Sequence, residues 1–488
     1  MTERFDVRAA AHAAMLTFGF EPEFPEAAVR EVAGSRVATP ADVPSALDQR
    51  KLPWSSIDNE STLDLDQLEV VEQLSNGDIR VRVAIADVAE TVEQNSATDK
   101  HAAANASSVY TGVETFAMLP ERLSTDLTSL KQGADRLAIV IEFVVAKDGE
   151  LQAHNIYLAF ARNQAKLAYG NVGAWLEGNG ELPPVATELI QQQVRLQYEA
   201  AKRLREDRTR RGSLSFETIE AQPVFRADGS IDIELVRKTR ASRLIEDFMV
   251  SANVVMAQFL DEHNSSSIRR IVRKPERWNR IVALAAEAGT KLPDEPDAPA
   301  LAAFLSAQRV ANPDGFAELS LSVVKLLGPG QYVLHEPSQP DIGHFGLAAQ
   351  YYTHSTAPNR RYVDLVTQRL LKAVLLKQPA PYSPAELSAI AEHCTERENA
   401  ARKVERMVRK QASAASLVHR EGEEFDATVT GVTSNGTFVR VSRPPVEGRV
   451  ISGEEGLDVG EHVRVRLEGT NVEKGFIDFS AMASTRVP

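Results

Sequence analysis

SIDNESTLDLDQLE, residues 56–69, brings Asp58, Asp64 and Asp66 close together in a D-x5-D-x-D spacing. In an extended backbone Asp64 and Asp66 share one face, and Leu63 and Leu65 the other. Magnesium takes hard oxygen ligands in an octahedron. It uses few carboxylates and leaves positions for water and phosphate. The three aspartates suit that ion if the chain loops back to carry Asp58 to the other two. Aspartates in a turn ahead of a hairpin also serve as capping or solvated residues. Spacing leaves both readings open.

The hairpin follows directly. LEVVEQLSNGDIRVRVAIADVAE reads as two strands around Asn76-Gly77. Ile79, Val81, Val83 and Ile85 alternate with Arg80, Arg82 and Ala84, so one face is apolar. Further strands are expected at Arg136–Val145 and Ile156–Phe160. Helices are expected over 187–211, 242–263, 296–310, 362–376 and 384–418. Ahead of residue 49, Arg8–Phe18 and Glu26–Val32 read as short helices separated by FGFEPEFP. They suit a helix-turn-helix or a helical docking segment equally. From about 420 the pattern becomes five short strands with glycine turns, the size of an OB-fold barrel. The fold class expected is α+β: residues 1–48 a helical N-terminal domain, 49–418 a large mixed domain, 419–488 an OB-fold barrel.

Bulk composition narrows the field. The 488 residues are 43% hydrophobic and 25% charged, as in an ordinary globular protein. The net charge of −13 argues against a protein that coats nucleic acid. It leaves room for a local basic channel, because phosphate binding depends on where the positive charges sit. Candidate basic runs are Arg208–Arg211, Arg237–Arg243, Arg269–Arg280 and Arg402–Lys410. The single cysteine, Cys394, rules out an intramolecular disulfide and suits a reducing cytoplasm. Its helical setting reads as a buried, inert thiol. No signal peptide is expected, nor any run near the roughly 18 apolar residues of a membrane span.

Several blocks then carry a resemblance. SIDNESTLDLDQ is similar to the opening motif of the catalytic RNB domain of the RNase II/RNase R family. VAIADVAETV (83–92), MLPERLSTDLTSL (118–130), GSLSFE (212–217), RLIEDFMVSAN (243–253) and HFGLAAQYYTHSTAPNRRYVDLVTQRLL (344–371) follow in the family's order. Together they span about residues 50–410, and the family also carries a C-terminal OB-fold.

The resemblance implies a 3′-5′ exoribonuclease that hydrolyses single-stranded RNA to 5′-mononucleotides with Mg2+, or Mn2+. It implies no organic cofactor and no membrane, and a monomer is expected. Asp58 and Asp66 would hold metal and scissile phosphate, with Asp64 in support. Gln67 stands where the family has a fourth aspartate. Its oxygen can ligate but brings no charge, so on charge count alone the site should need more metal. Arg360, in Ala357-Pro358-Asn359-Arg360-Arg361-Tyr362, matches the family's S-P-I-R-[RK]-Y. Its guanidinium can fork across phosphate oxygens. Arg361 is a phosphate contact or a structural ion pair.

The resemblance also assigns the RNA contacts. Tyr110 would stack near the 3′-terminal nucleotides and Glu405 would touch the last one. Phe438 would stack a base on the barrel, unless it belongs to the barrel core. A base-clamping phenylalanine of the family is missing near IRRIVRKPERW, where Trp278 is a candidate substitute. The family usually places two cold-shock barrels first. The 48 residues found here suggest a shorter RNA-binding face, able to approach a duplex closely. The competing expectations are a catalytically weak or inactive RNA-binding protein, suggested by Gln67, and a metal-dependent endonuclease.

Overall fold

The computed structural model describes residues 5–217, 220–225, 231–236, 238–313, 315–337, 339–434 and 436–482. Its centre is a seven-stranded sheet. The order is Leu47–Asp48, Leu151–Arg162, Asp135–Val145, Ile79–Ala86, Gln67–Gln73, Ser55–Asp58, Ala165–Ala168. The pairs are antiparallel except at the two outer ones, where Leu47–Asp48 and Ala165–Ala168 run parallel to their neighbours. The hairpin read from Asn76-Gly77 pairs Gln67 with Ile85 and Gln73 with Ile79. Gly77 takes a positive φ of 85° in the turn, a conformation glycine adopts without penalty. Ile79, Val81, Val83 and Ile85 are fully buried. Arg80 and Arg82 lie on the other face and pair with Glu72 and Glu142.

Helices Glu188–Arg210 and Arg240–Glu262 pack on this sheet and on each other. Tyr362–Leu375 is stitched to it by Gln368. Its amide donates to Ala86 O, and its carbonyl accepts from Val88 N. Helix Pro384–Ala415 is capped by a reciprocal Ser383–Glu386 box. It runs on to the barrel.

The barrel closes through Glu424–Thr433, Gly436–Val441, Glu447–Ser452, Phe476–Ala481 and His462–Asn471. Val439, Val450, Val465 and Phe479 fill it. Gly448 is required there, because a Cβ would lie 2.5 Å from the Phe479 ring.

At the other end, α1 (Val7–Thr17) packs on Pro384–Ala415 and α2 (Glu26–Gly34) on Ala97–Asn105. Each buries its apolar face against the body of the protein. Helices Trp278–Glu287, Ala298–Ala311 and Phe316–Leu327 form a separate apolar cluster. Trp278 is buried in that cluster and donates to Pro293 O, so it cannot clamp a base from there. No helix among the described residues is long and apolar enough to cross a membrane.

The turn that joins Asp135–Val145 to Leu151–Arg162 packs tightly on helix Glu188–Arg210. Gly149 has a φ of 91°, and a Cβ there would lie 2.1 Å from Arg203 O. Gly149→Ala is therefore expected to destabilise the fold by more than about 1 kcal/mol. A thermal melt equal to that of the parent would contradict this packing.

Candidate active site

The acidic segment leaves the sheet after Ser55–Asp58, loops through residues 59–66, and re-enters at Gln67. Neighbouring segments hold the loop. Lys166 donates to the carbonyls of Glu60 and Thr62. Ser129 Oγ donates to Leu63 O and accepts from Leu65 N, and Leu130 N donates to Leu65 O. Those last residues belong to the MLPERLSTDLTSL block. The segment 62–66 forms no ladder of its own, and the expected two-leucine face is only half realised. Leu65 is buried, whereas Leu63 is 58% exposed.

The loop carries Asp58, Asp64, Asp66 and Gln67 to the wall of one cavity of about 600 Å³, which Tyr110, Arg360 and Arg361 also line. Asp66 is the most enclosed, at 4% exposure. Its Oδ1 accepts from both the backbone N (3.1 Å) and Nδ2 (2.9 Å) of Asn359. Asn359 is itself oriented by Thr128, whose hydroxyl donates to Asn359 Oδ1 at 2.6 Å. Burial pushes the Asp66 carboxyl up to about 7, against the pull of Arg360 and the Asn359 amide. Burial also raises Asp64. Asp58 accepts from Asn59 N and Thr62 Oγ1, both through Oδ1.

Arg360 is exposed to the cavity, and among the described residues no carboxylate forms an ion pair with its guanidinium. Arg361 differs. It grips Asp364 through two nitrogens, at 2.8 and 2.7 Å, and Asp364 is fully buried. Burial works against its charge, but Asp364 outweighs that and holds the guanidinium above its ordinary value. This is the structural ion pair of the two readings, although Arg361 still lines the cavity.

Tyr110 stands between this cavity and a second of about 270 Å³, which Glu405 and Arg402 line. Its backbone N donates to Glu405 Oε1 at 3.4 Å. The Tyr110 ring is 42% exposed, and desolvation raises its phenol to about 12, so the hydroxyl stays a donor. Cys394 is buried beside the second cavity, and burial pushes its thiol up to about 12. That is an inert thiol, as its helical setting suggested. Phe438 lies far along the chain on the barrel, half-buried and paired across strands with Gly431 and Arg449. It is not part of the barrel core.

Part of the basic runs is committed to ion pairs. Arg208 pairs with Asp247, Arg211 with Asp207, Arg269 with Asp341, and Arg270 and Arg402 with Glu398. Arg237 lies outside the described residues.

Two residues of the site, and Glu69 close to Asp58, carried no assignment from sequence. Asn359 and Glu246 sat inside recognised blocks; Glu246 lines the large cavity. Glu69 had no signal at all. It is fully buried, and among the described residues neither of its oxygens has a hydrogen-bond partner.

The donor set is oxygen only, the chemistry that magnesium or manganese prefers. Among the described residues, no three His, Cys, Asp or Glu side chains close on one point. That fits an ion held by one or two carboxylates and completed by the Gln67 oxygen, water and substrate phosphate.

An RNB domain model matches residues 47–377, and an RNase II-type exonuclease C-terminal S1 domain model matches 423–482. Ribonuclease R of Escherichia coli is 31% identical over 504 residues, covering 95% of this chain and 61% of that protein. Ribonuclease R of Thermotoga maritima is 30% identical, over 88% of this chain and 61% of its own length. The chain thus spans about three fifths of these relatives. Among solved structures, the apo form of Mycoplasma genitalium RNase R superposes with a TM-score of 0.88 at 22% identity, over 98% of this chain and 78% of that one. Yeast Ssd1, described as a pseudonuclease, superposes with a TM-score of 0.73 at 16% identity, over 96% and 59%.

Glu69 gives a test of this geometry. Burial, then the charge of Asp58, raises its carboxyl well above the ordinary value. A raised carboxyl is no burden below its unfolded value, and costs stability as pH climbs through the folded one. Glu69→Gln is therefore expected to stabilise the metal-free protein, with a gain that grows as pH rises from the ordinary glutamate range upward. Thermal melts at rising pH check it; a gain independent of pH would contradict the burial of this group.

Proposed function

This chain belongs to the RNB-domain family of RNase II and RNase R, and on that footing we propose that it hydrolyses single-stranded RNA from the 3′ end, releasing 5′-mononucleotides. The observation that carries the proposal is the shared cavity: Asp58, Asp64, Asp66, Gln67 and Arg360 face one space, with Tyr110 at its inner boundary. The family works with a divalent metal, and we assign Mg2+, with Mn2+ as an alternative. Asp58, Asp64 and Asp66 offer the one or two carboxylates that would hold it, together with Gln67. Such an ion orients and activates water and offsets charge on the attacking and leaving oxygens.

The chain's own groups do the rest. Asn359 fixes one oxygen of Asp66 and leaves the other to the cavity. Arg360, without a carboxylate partner among the described residues, forks onto the scissile phosphate and offsets its developing charge. Tyr110 stacks on a terminal base. Stacking contributes about 1–3 kcal/mol and tolerates any sequence. Glu405, beside it, accepts from the last nucleotide's hydroxyls. Arg361 acts through Asp364 by shaping the turn that carries Arg360. Phe438 offers the barrel a stacking surface next to Arg449.

Residues 1–48, 49–418 and 419–488 serve as docking segment, catalytic body and RNA-holding barrel. We assign a monomer, and an inert Cys394 suits the cytoplasm. A binding protein without catalysis is the second reading. Gln67 is the residue that motivates it.

A 5′-labelled oligo-RNA with magnesium separates the readings. Progressive 3′ shortening is expected, and Asp66→Asn should abolish it. Internal fragments would mean an endonuclease, and intact RNA a binding protein. Arg360→Ala is expected to lower kcat by about 10²–10³-fold with little change in RNA affinity. A loss confined to KM would contradict its role on the reacting phosphate.

Asn359→Ala removes a donor from the ionised form of Asp66, so the carboxyl should rise. The acid limb of the pH–rate profile is expected to move to higher pH. An unmoved limb would show that the Asn359 side chain does not tune Asp66.

A further inference from the structure

The segment 105–108, which leads into strand Val109–Tyr110, is bonded on one side to the Arg360 turn and on the other, through Asn105, to the N-terminal segment. Ser108 N donates to Arg360 O at 2.9 Å, and Tyr362 N donates to Ala106 O at 2.8 Å. These two bonds tie residues 106–108 to the backbone on both sides of Arg361. Ala106 adopts a left-handed φ of 58° at the end of helix Ala97–Asn105. A residue with a Cβ holds that conformation only where its surroundings over-determine it.

Asn105 supplies the constraint. Its side chain is buried and makes a reciprocal pair with the backbone of Glu21. Glu21 N donates to Asn105 Oδ1 at 2.9 Å, and Asn105 Nδ2 donates to Glu21 O at 2.8 Å. Glu21 lies in the linker between α1 and α2, which is anchored in turn. Arg397 donates to Phe18 O and stacks over the Phe20 ring.

Behind the strand, Met15 and Ala11 of α1 join Phe20, Val109 and Val404 in one apolar cluster. Val109 precedes Tyr110, and Val404 precedes Glu405. Each is fully buried on the side away from the cavity. The N-terminal segment therefore backs the two candidate nucleotide contacts and, through two hydrogen bonds, the turn of Arg360.

We propose that Asn105 is a positioning residue for the active site: it fastens the segment 105–108 to the α1–α2 linker, and that segment holds Tyr110 and the Arg360 turn in register. On this view the N-terminal helices are a buttress for catalysis and touch no RNA themselves. The inference rests on the proposed roles of Tyr110 and Arg360, but its mechanical part stands without them.

Asn105→Ala is the test, with Asn105→Asp keeping the acceptor for Glu21 N while losing the donor. Amide hydrogen exchange is followed at Ser108 and Tyr362, at a temperature where every variant is folded. Exchange at both sites is expected to quicken by at least about tenfold in Asn105→Ala and by less in Asn105→Asp. On oligo-RNA, kcat should fall by roughly tenfold, and Asn105→Asp should recover part of it. The quench of a 3′-terminal 2-aminopurine against Tyr110 should weaken in the same order.

Unchanged exchange at Ser108 and Tyr362 would overturn the proposal outright. Faster exchange with undiminished kcat and an intact quench would overturn the positioning role. If the parent protein cleaves no RNA, the proposed function fails by itself, and the exchange data still decide whether Asn105 holds the turn.

Discussion

Asp66 and Asn359 are 293 residues apart in sequence, yet two hydrogen bonds join them. The rest of the site depends on that contact. Asp66 sits at the foot of the first hairpin, where its carbonyl accepts from Ala86 N. Asn359 begins the turn into helix Tyr362–Leu375. The contact therefore joins the sheet to the helical part of the domain, and it places Arg360 opposite the acidic loop. Thr128 extends the network into a third segment. Three blocks that look independent in the sequence meet at one carboxylate.

The electrostatics of the meeting point follow from burial. Carboxylates crowded into a poorly solvated wall are costly when ionised, which is why Asp64 and Asp66 are both raised. A divalent cation, and Arg360, which forms no carboxylate ion pair among the described residues, are the groups that would offset this. Elsewhere the protein pairs its buried charges internally: Arg361 with Asp364, Arg269 with Asp341, Lys372 with Asp87. The contrast between those closed pairs and the open set around the cavity distinguishes a structural ion pair from a site that waits for a ligand. Glu69 belongs to neither class. Among the described residues its buried oxygens find no partner.

Much of this was legible in the residues. Asn76-Gly77 with alternating flanks gave the first hairpin, and the glycine-spaced strands after 420 gave the barrel. The D-x5-D-x-D segment marked the acidic wall. What stayed illegible depends on contacts made through space. Arg208, Arg269 and Arg270 of the basic runs looked free because their acidic partners Asp247, Asp341 and Glu398 are distant in sequence. Trp278 looked like a clamp because nothing local reveals that its face is buried. Leu63 and Leu65 looked like one apolar face because alternation presumes a strand, whereas that segment is a loop tied to Ser129. Glu69 was invisible for the opposite reason, since a glutamate in a strand is expected to face water.

The central claim is that the acidic wall and Arg360 enclose a metal and the last phosphodiester of an RNA 3′ end. Anomalous diffraction from crystals grown with manganese and a cleavage-resistant single-stranded RNA addresses it directly. The account predicts a manganese peak bonded to a carboxylate oxygen of the Asp58–Asp66 loop and to an RNA phosphate, with the terminal base against Tyr110. A peak outside that cavity, or an RNA end lodged elsewhere, would contradict it.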